Sequence, residues 1–226
     1  LMDLKYNQAR ASNINFEKAS IADEILAGQF VKEHEETTHF SIIDQFGNAV
    51  SSTTTLNGGF GNHVVVGMAG FFLNNEMDDF SSKPGFPNMY GLIGGEANAI
   101  VPAKRMLSSM TPTIVEKDGE LFMVVGTPGG STIITSVFQA ILNVIEFDLN
   151  MQGAVDFQRF HHQWRPNYIQ YEKGRFDAYI LEGLDGLGHE VKERSAIGRT
   201  DAILVLEDGR LEGGADLRGD DTAIGF

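Results

Sequence analysis

The chain has 226 residues, of which 42% are hydrophobic and 21% are charged, so it can bury the core of one domain or of two closely joined domains. It carries 31 acidic and 17 basic residues, a formal net charge of -14, and has no dense basic segment. This balance argues against a protein that follows the phosphates of a nucleic acid, and it favours a small polar substrate over a polyanion. The absence of cysteine excludes disulfides, a thiol nucleophile and a thiolate metal site.

The sequence offers no clear targeting or membrane segment. Residues 1–5 lack the apolar stretch of a signal peptide, so we expect the signal of an exported protein to lie outside this chain. Residues 121–145 contain no charged residue and have the length of a membrane span. The turn-forming residues 127–131 interrupt them, which favours a strand, a tight loop and a helix, with no membrane span.

In chain order, the pattern first predicts a helix over residues 19–34, which Ser20 can cap and whose apolar side chains recur on one face. Three pairs of strands around Gly-containing turns follow, over residues 38–56, 113–125 and 202–213. Further helices are predicted over residues 131–146, about 151–157 and about 176–187. Antiparallel hairpins alternating with helices indicate an α+β fold, in which sheets pack on each other with helices outside.

Thr37 begins a Thr-rich segment, residues 37–41, that is echoed by residues 53–57. A threonine hydroxyl needs a nearby base to act as a nucleophile, and one such base is its own α-amine, once the preceding peptide bond is cut. That amine titrates at about 7.7 to 8.0, which suits proton transfer near neutral pH. Thr-rich strands are also common because β-branched residues suit sheets, so the segment alone leaves a purely structural role open.

The segment Pro128-Gly129-Gly130-Ser131 joins an apolar strand to a helix. Glycine N–H groups near a helix N-terminus can approach a ligand closely, and such donors suit a developing oxyanion. A strand-to-helix turn that simply needs glycine is the alternative interpretation.

Two groups of polar residues can bind the two ends of an α-amino acid. Asn57, Glu76 and Asp79 can bind an ammonium group, and the hydroxyls of Ser108 and Ser109 can bind a carboxylate. The two acids lie in a long irregular stretch, and such loops are usually functional or mobile. Taken singly, each residue also fits a solvated loop or cap position.

Residues 159–164, Arg-Phe-His-His-Gln-Trp, contain two adjacent histidines and the only tryptophan. Adjacent side chains do not share a helical face, and no further donors are near in sequence. We therefore predict a buried structural cluster here, and we expect neither a metal site nor a cofactor.

Together these segments resemble the small subunit of the γ-glutamyltranspeptidases, which are N-terminal nucleophile hydrolases. The matching segments cover, in order and spacing, nearly all of the chain from residue 37 onward; they are residues 37–41, 55–57, 73–81, 104–105, 107–110, 128–131 and 159–164. The resemblance implies an αββα sandwich, antiparallel sheets between helix layers, that is partial because the large subunit is absent. Residues 1–36 would be the C-terminal tail of that large subunit, and residues 37–226 the small catalytic subunit.

The resemblance also implies a precursor that cleaves itself between Glu36 and Thr37. Thr37 would then be the nucleophile and its freed amine the base, with the Thr55 hydroxyl orienting that amine. Gly129 and Gly130 would form the oxyanion hole. An uncut chain has an amide at Thr37 and cannot use it as a base. Because the large subunit and its substrate-binding arginine are missing here, the isolated chain is expected to have an incomplete site.

The substrate-binding residues implied by the resemblance are those that suit an amino acid. Asn57, Glu76 and Asp79 would hold its α-amine, while Ser108 and Ser109 would hold its α-carboxylate together with an arginine of the large subunit.

Residues 84–95 resemble the family's lid loop, in which Tyr90 can close over the bound glutamyl group and exclude water. A lid favours γ-glutamyl transfer or hydrolysis over the cephalosporin deacylation of lid-less relatives. The implied reaction attacks a γ-glutamyl donor such as glutathione and passes the glutamyl group from Thr37 to water, an amino acid or a peptide.

The resemblance implies a periplasmic or extracellular location, and it leaves two other functions open. One is a poly-γ-glutamate capsule transferase of the same superfamily. The other is a non-catalytic amino-acid-binding module that kept the pocket and lost processing.

Overall fold

The computed structural model describes residues 8, 12, 37–163 and 166–225. The chain divides into two compact units, Leu1–Glu33 and His34–Phe226, and the architecture below is that of the second unit. The helix predicted over residues 19–34 lies outside the described residues.

Nine strands and three helices form within residues 37–163 and 166–225. The strands are β1 Thr37–Ile43, β2 Ala49–Thr55, β3 Thr113–Lys117, β4 Glu120–Gly126, β5 Phe160–His161, β6 Ile169–Glu172, β7 Val191–Arg194, β8 Asp201–Val205 and β9 Leu211–Gly214. The helices are α1 Ile133–Ile145, α2 Met151–Asp156 and α3 Ala178–Gly186. Short 3-10 turns lie at Gly67–Ala69, Glu76–Asp79, Glu96–Asn98 and Gly130–Thr132.

The three predicted hairpins are confirmed as β1–β2, β3–β4 and β8–β9, each antiparallel. The last two join through β4 and β8 into one sheet of order β3-β4-β8-β9. A third sheet, β5-β6-β7, contains a parallel pair, β6 and β7, that the sequence pattern did not predict. Both strands have only four residues, too few to produce a visible alternation, and α3 supplies the crossover that a parallel pair needs.

The apolar stretch over residues 121–145 folds as predicted, into β4, a loop and α1. The buried positions of α1 include Ile133, Val137, Ala140 and Val144, spaced three or four apart along one face. Across the part of the chain that the structure describes, no helix combines the length and the apolar character that crossing a membrane requires.

The main core lies between the four-stranded sheet and helices α1 and α2. Its buried residues are Met123, Val125, Ile133, Val137, Ala140, Val144, Met151, Ala154, Val155, Ala202 and Leu204. The opposite face of the sheet carries the β1–β2 hairpin, because Ser41 Oγ donates to the Asp201 carbonyl oxygen over 3.2 Å and Ser51 Oγ to that of Val125 over 3.0 Å. The layers therefore run hairpin, four-stranded sheet, helices.

A buried charge cluster ties α2 and β6 to the segment after β9. Arg159 lies 2.7 Å from Asp216, and Arg218 contacts both Asp216, at 3.0 Å, and Glu172, at 2.5 Å, with all four side chains at most 3% exposed. Burial, the largest single cause, raises the pKa of Asp216, but Arg159, Arg218 and the backbone hydrogen bonds to the carboxylate together hold the pKa below its usual range. Each buried charge thus has an opposite partner, without which burial would be costly.

Candidate active site

Thr37 and Thr55 meet at the open end of the first hairpin. They are cross-strand partners in the β1–β2 register, and Thr37 Oγ1 donates to Thr55 Oγ1 over 3.0 Å. Thr55 Oγ1 in turn accepts from the Asn57 N–H at 2.9 Å. The hairpin thus brings together two hydroxyls that lie 18 residues apart.

His39 fills the space between this hairpin and strand β4. It is buried, at 6% exposure, with Nδ1 at 2.8 Å from Thr53 Oγ1 and Nε2 at 3.0 Å from Ser41 Oγ. A Cβ added to Gly126 would lie 2.2 Å from the imidazole Cε1, so glycine is what admits the ring. Burial lowers the pKa of His39 to about 4, and the ring is therefore neutral near pH 7. The role of His39 was not predicted from the sequence, although its position two residues after Thr37 places both side chains on one face of the strand.

The contacts of the hairpin fix which end of β4 lies near Thr37. Ser51, in the middle of β2, contacts Val125, while His39, nearer the open end, lies against Gly126. Thr37 therefore lies toward the C-terminal end of β4, where the Pro128–Gly130 loop begins.

That loop has the backbone conformation that favours glycine. Gly129 has φ 140° and Gly130 φ 55°, and a Cβ on Gly129 would lie 2.7 Å from Thr132 Oγ1. The loop is braced because Thr132 Oγ1 donates to the Gly129 carbonyl oxygen over 2.8 Å. Within the described residues, neither glycine N–H has a hydrogen-bond acceptor, so both are available to a ligand.

The two predicted carboxylate-binding serines have different surroundings. Ser109 Oγ donates to the Gly130 carbonyl oxygen over 3.0 Å, which joins it to the glycine loop. Ser108 Oγ accepts from the Met110 N–H over 3.2 Å, and its own proton is not used in that bond.

Glu76 and Asp79 lie in one 3-10 turn with their charges close together. Burial raises the pKa of Glu76, and the Asp79 charge adds to the shift; burial also raises the pKa of Asp79, with a further contribution from Asp78. Glu76 Oε2 is buried and has no hydrogen-bond partner in the described part of the chain. A bound cation would relieve both the repulsion and the unpaired oxygen.

Tyr90 connects the long loop to the threonine pair. Its hydroxyl lies 3.0 Å from Asn57 Oδ1 and 3.2 Å from the Asn57 carbonyl oxygen. Asn57 is 5% exposed and has φ 72°, a conformation that asparagine tolerates better than most residues. The structure therefore brings Thr37, Thr55, Asn57 and Tyr90 into one connected group.

A cavity of about 260 Å³ lies under the same loop. Three of the predicted residues line it, namely Asp79, Tyr90 and Ser109, and the other seven are not part of its lining. The apolar part of its wall includes Phe80, Phe86 and Leu92.

Of the two histidines after Arg159, His161 is buried in a polar cluster, as predicted, whereas His162 is exposed and the prediction is wrong for it. His161 is 3% exposed, with Nδ1 at 2.8 Å from Thr135 Oγ1 and Nε2 at 2.7 Å from Gln163 Oε1. Burial, the largest cause, lowers its pKa. The described residues contain no group of three or more histidines, cysteines or acids placed to hold a metal ion, and Trp164 lies outside them.

Sequence comparison agrees with this geometry. A sequence model described as gamma-glutamyltranspeptidase matches residues 1–226. The chain belongs to the γ-glutamyltranspeptidase family. It is 47% identical to the "Glutathione hydrolase proenzyme" of Escherichia coli K12, with the match covering 100% of this chain and 39% of the relative. The chain thus spans about two fifths of that relative's length.

Solved γ-glutamyltranspeptidase structures share the fold. The enzyme from Pseudomonas nitroreducens complexed with L-DON superposes with a TM-score of 0.80 at 48% identity, over 84% of this chain and 99% of that one. The Bacillus anthracis transpeptidase CapD is more distant, with a TM-score of 0.65 at 27% identity. The predicted family and the N-terminal nucleophile hydrolase fold are confirmed.

Proposed function

We propose that this chain is the catalytic part of a γ-glutamyl transferase and hydrolase that cleaves glutathione and related γ-glutamyl donors. The observation that carries the proposal is the hydrogen bond of 3.0 Å from Thr37 Oγ1 to Thr55 Oγ1, at the end of β1 nearest the Pro128–Gly130 loop. A hydroxyl nucleophile, a second hydroxyl and unpaired N–H donors are the parts that acyl transfer by an N-terminal threonine requires.

Self-cleavage of a precursor between Glu36 and Thr37 supplies the base that this chemistry lacks. The match to the solved P. nitroreducens chain covers 99% of that chain but only 84% of this one. Residues 37–226 make up the same share of this chain. The E. coli proenzyme, by contrast, matches the whole of this chain. This difference supports residues 1–36 as the tail of the large subunit and residues 37–226 as the small subunit.

In the proposed reaction, the freed Thr37 amine accepts the hydroxyl proton as Oγ1 attacks the γ-carbonyl carbon of the donor. The N–H groups of Gly129 and Gly130 stabilise the oxyanion, and each such donor is worth about a hundredfold to a thousandfold in rate. Collapse breaks the amide C–N bond, and the proton passes to the leaving amine. The γ-glutamyl ester on Thr37 is then attacked by water or by an amine acceptor.

The proposed glutamyl site uses the unpaired acids for the α-ammonium group. Asn57, Glu76 and Asp79 would hold it, and the raised pKa values of both acids indicate a place where a positive charge is favoured. Ser108 has a hydroxyl proton available for the α-carboxylate, whereas Ser109 must first turn away from the Gly130 carbonyl oxygen.

The large subunit of the same precursor is the proposed partner of this chain, and it supplies the carboxylate-binding arginine. Acceptors are water, amino acids or peptides, and the proposed location is periplasmic or extracellular. The likeness to CapD keeps a polymer-directed transferase as the second candidate, and comparing glutathione with poly-γ-glutamate as donor separates the two.

The nucleophile is tested in the full-length precursor. Thr37→Ala should leave the chain uncut and inactive because no hydroxyl remains to attack the Glu36 carbonyl carbon, while Thr37→Ser should still be cut. The exposed neighbour variant Thr38→Ala, as the matched control, should be processed and active. Mass spectrometry of the fragments and glutathione turnover report both properties.

Cleavage between Glu36 and Thr37 in Thr37→Ala would show that another residue is the nucleophile. A Thr37→Ala precursor that retains amino-acid binding beside a wild type that stays uncut would indicate the non-catalytic module instead.

A further inference from the structure

A chain of side-chain hydrogen bonds runs from helix α1 to the loop that carries Tyr90. Thr135 Oγ1 lies 2.8 Å from His161 Nδ1, and His161 Nε2 lies 2.7 Å from Gln163 Oε1. Gln163 Nε2 then donates to the Tyr90 carbonyl oxygen over 3.0 Å. The loop residue is therefore connected to Thr135 of helix α1 through two intervening side chains.

The chemistry of the Tyr90 carbonyl group fixes the direction of the two hydrogen bonds that Gln163 makes. The Tyr90 carbonyl oxygen can only accept, so the Gln163 NH2 group must face it and the Gln163 carbonyl oxygen must face His161. His161 must then carry a proton on Nε2, which it donates to Gln163 Oε1. The Thr135 hydroxyl donates to the Thr132 carbonyl oxygen over 3.0 Å, and its oxygen also lies 2.8 Å from His161 Nδ1.

The turn around Tyr90 is held together by hydrogen bonds of its own. Asn88 Oδ1 accepts from the N–H groups of both Tyr90 and Leu92 over 3.0 Å, and the Gly91 N–H donates to the Asn88 carbonyl oxygen over 2.9 Å. Pro166 packs against the same turn, since a Cβ on Gly91 would lie 3.5 Å from its Cδ. A contact to the main chain of Tyr90 therefore acts on the whole turn.

Tyr90 is held from two sides. Its hydroxyl contacts Asn57, next to the threonine pair, and its carbonyl oxygen is held by Gln163 from the β5 side. The two contacts therefore act on opposite ends of the same residue.

We propose that Gln163 is a positioning residue that holds the turn of residues 88–92 closed over the glutamyl site and thereby sets how the acyl-enzyme is divided between water and amine acceptors. The inference rests on the proposed function. A closed loop excludes water from a reactive intermediate, so a loosened turn lets water compete with the acceptor and lets the donor leave more easily.

The most informative variant is Gln163→Glu, which keeps the shape of the side chain. Its carboxylate still accepts from His161 Nε2, but it places an oxygen opposite the Tyr90 carbonyl oxygen and removes the donor. We expect the donor KM and the ratio of hydrolysis to transfer to rise by about two- to tenfold, the equivalent of one net hydrogen bond. Self-cleavage and the kcat of acylation should stay within a factor of about two of the wild type, because no reacting group is altered.

Gln139→Ala is the matched control. Gln139 also bonds the β5 segment to α1, through the Phe160 carbonyl oxygen over 2.8 Å and the Phe160 N–H over 3.2 Å, but it does not touch the loop. It should lower the melting temperature while leaving the division between hydrolysis and transfer unchanged. An equal change in that ratio for Gln139→Ala and Gln163→Glu would overturn the proposal, because the effect would then come from the β5 segment in general.

A double-mutant cycle with Tyr90→Phe completes the test in the processed, full-length enzyme. Because both residues act on one turn, the combined change in KM and ratio should be smaller than the product of the single changes. The proposal would be overturned if the changes in KM and ratio in the double variant equalled the product of the single changes. It would also be overturned if Gln163→Glu had the wild-type KM and ratio while Tyr90→Phe changed them. A wild type that forms no acyl-enzyme from any γ-glutamyl donor would refute the proposed function itself, a result distinct from the other two.

Discussion

Acid pH should weaken the folded state through His39 in particular. The ring is 6% exposed, it lies against Gly126, and burial lowers its pKa from 6.5 to about 4. In the unfolded chain the same imidazole takes up a proton below pH 6.5, whereas in the folded protein it stays neutral until about pH 4. The stability that the neutral ring contributes is therefore complete above pH 6.5 and is lost as the pH falls toward 4.

The size of the effect follows from the two pKa values. At about 1.4 kcal/mol for each pH unit between 6.5 and 4, the loss amounts to on the order of 3 kcal/mol, a large share of the stability of a small domain. His39→Gln removes the titration and retains groups that can bond to Thr53 and Ser41. The variant should therefore lose about 3 kcal/mol less than the wild type over the same pH interval.

Urea unfolding of the processed, full-length protein at a series of pH values measures this difference directly. In addition, the imidazole signal that disappears from the NMR spectrum of His39→Gln should titrate well below 6.5 in the wild type. Parallel stability curves for the two proteins, or a His39 signal that titrates near 6.5, would refute the argument that burial keeps this ring neutral.

Two further substitutions test the core and the glycine loop. Asp216→Asn should destabilise the fold by about 3 to 5 kcal/mol in urea unfolding, because Arg159 and Arg218 would stay buried without their shared partner. The exposed pair of Asp208 and Arg210 gives the control, since Asp208→Asn should leave the urea midpoint unchanged, and equal effects of the two variants would contradict this account. Gly130→Val, at φ 55°, should lower kcat at least a hundredfold per folded molecule, and full specific activity in a merely less stable protein would remove this loop from the mechanism.

The hairpins could be predicted because their signals are local. Each has Gly in its turn and alternating strands beside it, and each formed with β-strands within about two residues of the predicted ranges. The β6–β7 pair could not be predicted in this way, because its strands are short and their partners are set by the crossover through α3. Parallel pairing depends on contacts distant in sequence, which periodicity does not record.

In the candidate site, too, contacts set by a local turn could be predicted and contacts set by the tertiary structure could not. Thr37 and Thr55 could be paired from sequence because a hairpin turn sets their register. The link from Gln163 to Tyr90 joins residues 73 positions apart through no shared element, and nothing in the local pattern signals it. Ser109 donates its hydroxyl proton to the Gly130 carbonyl oxygen, whereas Ser108 only accepts from the Met110 N–H. This difference depends on where the fold places the Gly130 carbonyl oxygen, which the local sequence does not show.

The first hairpin reverses the usual polarity of a strand, and this bears on what must surround it. Its inner face, toward the four-stranded sheet, carries hydroxyls and the His39 ring, while its outer face presents Phe40, Ile42 and Val50 at 43%, 51% and 47% exposure. Apolar side chains in a row on an exposed strand normally mark a covered surface. A polar inner face lets hydrogen bonds, which are directional, fix Thr37 relative to the glycine loop more narrowly than apolar packing does. The outer face must then find its apolar partner elsewhere, and the chain spans only 39% of the E. coli proenzyme. We expect the large-subunit part of the precursor to cover it. The residues that position Thr37 and those proposed to contact the large subunit would then alternate along one strand.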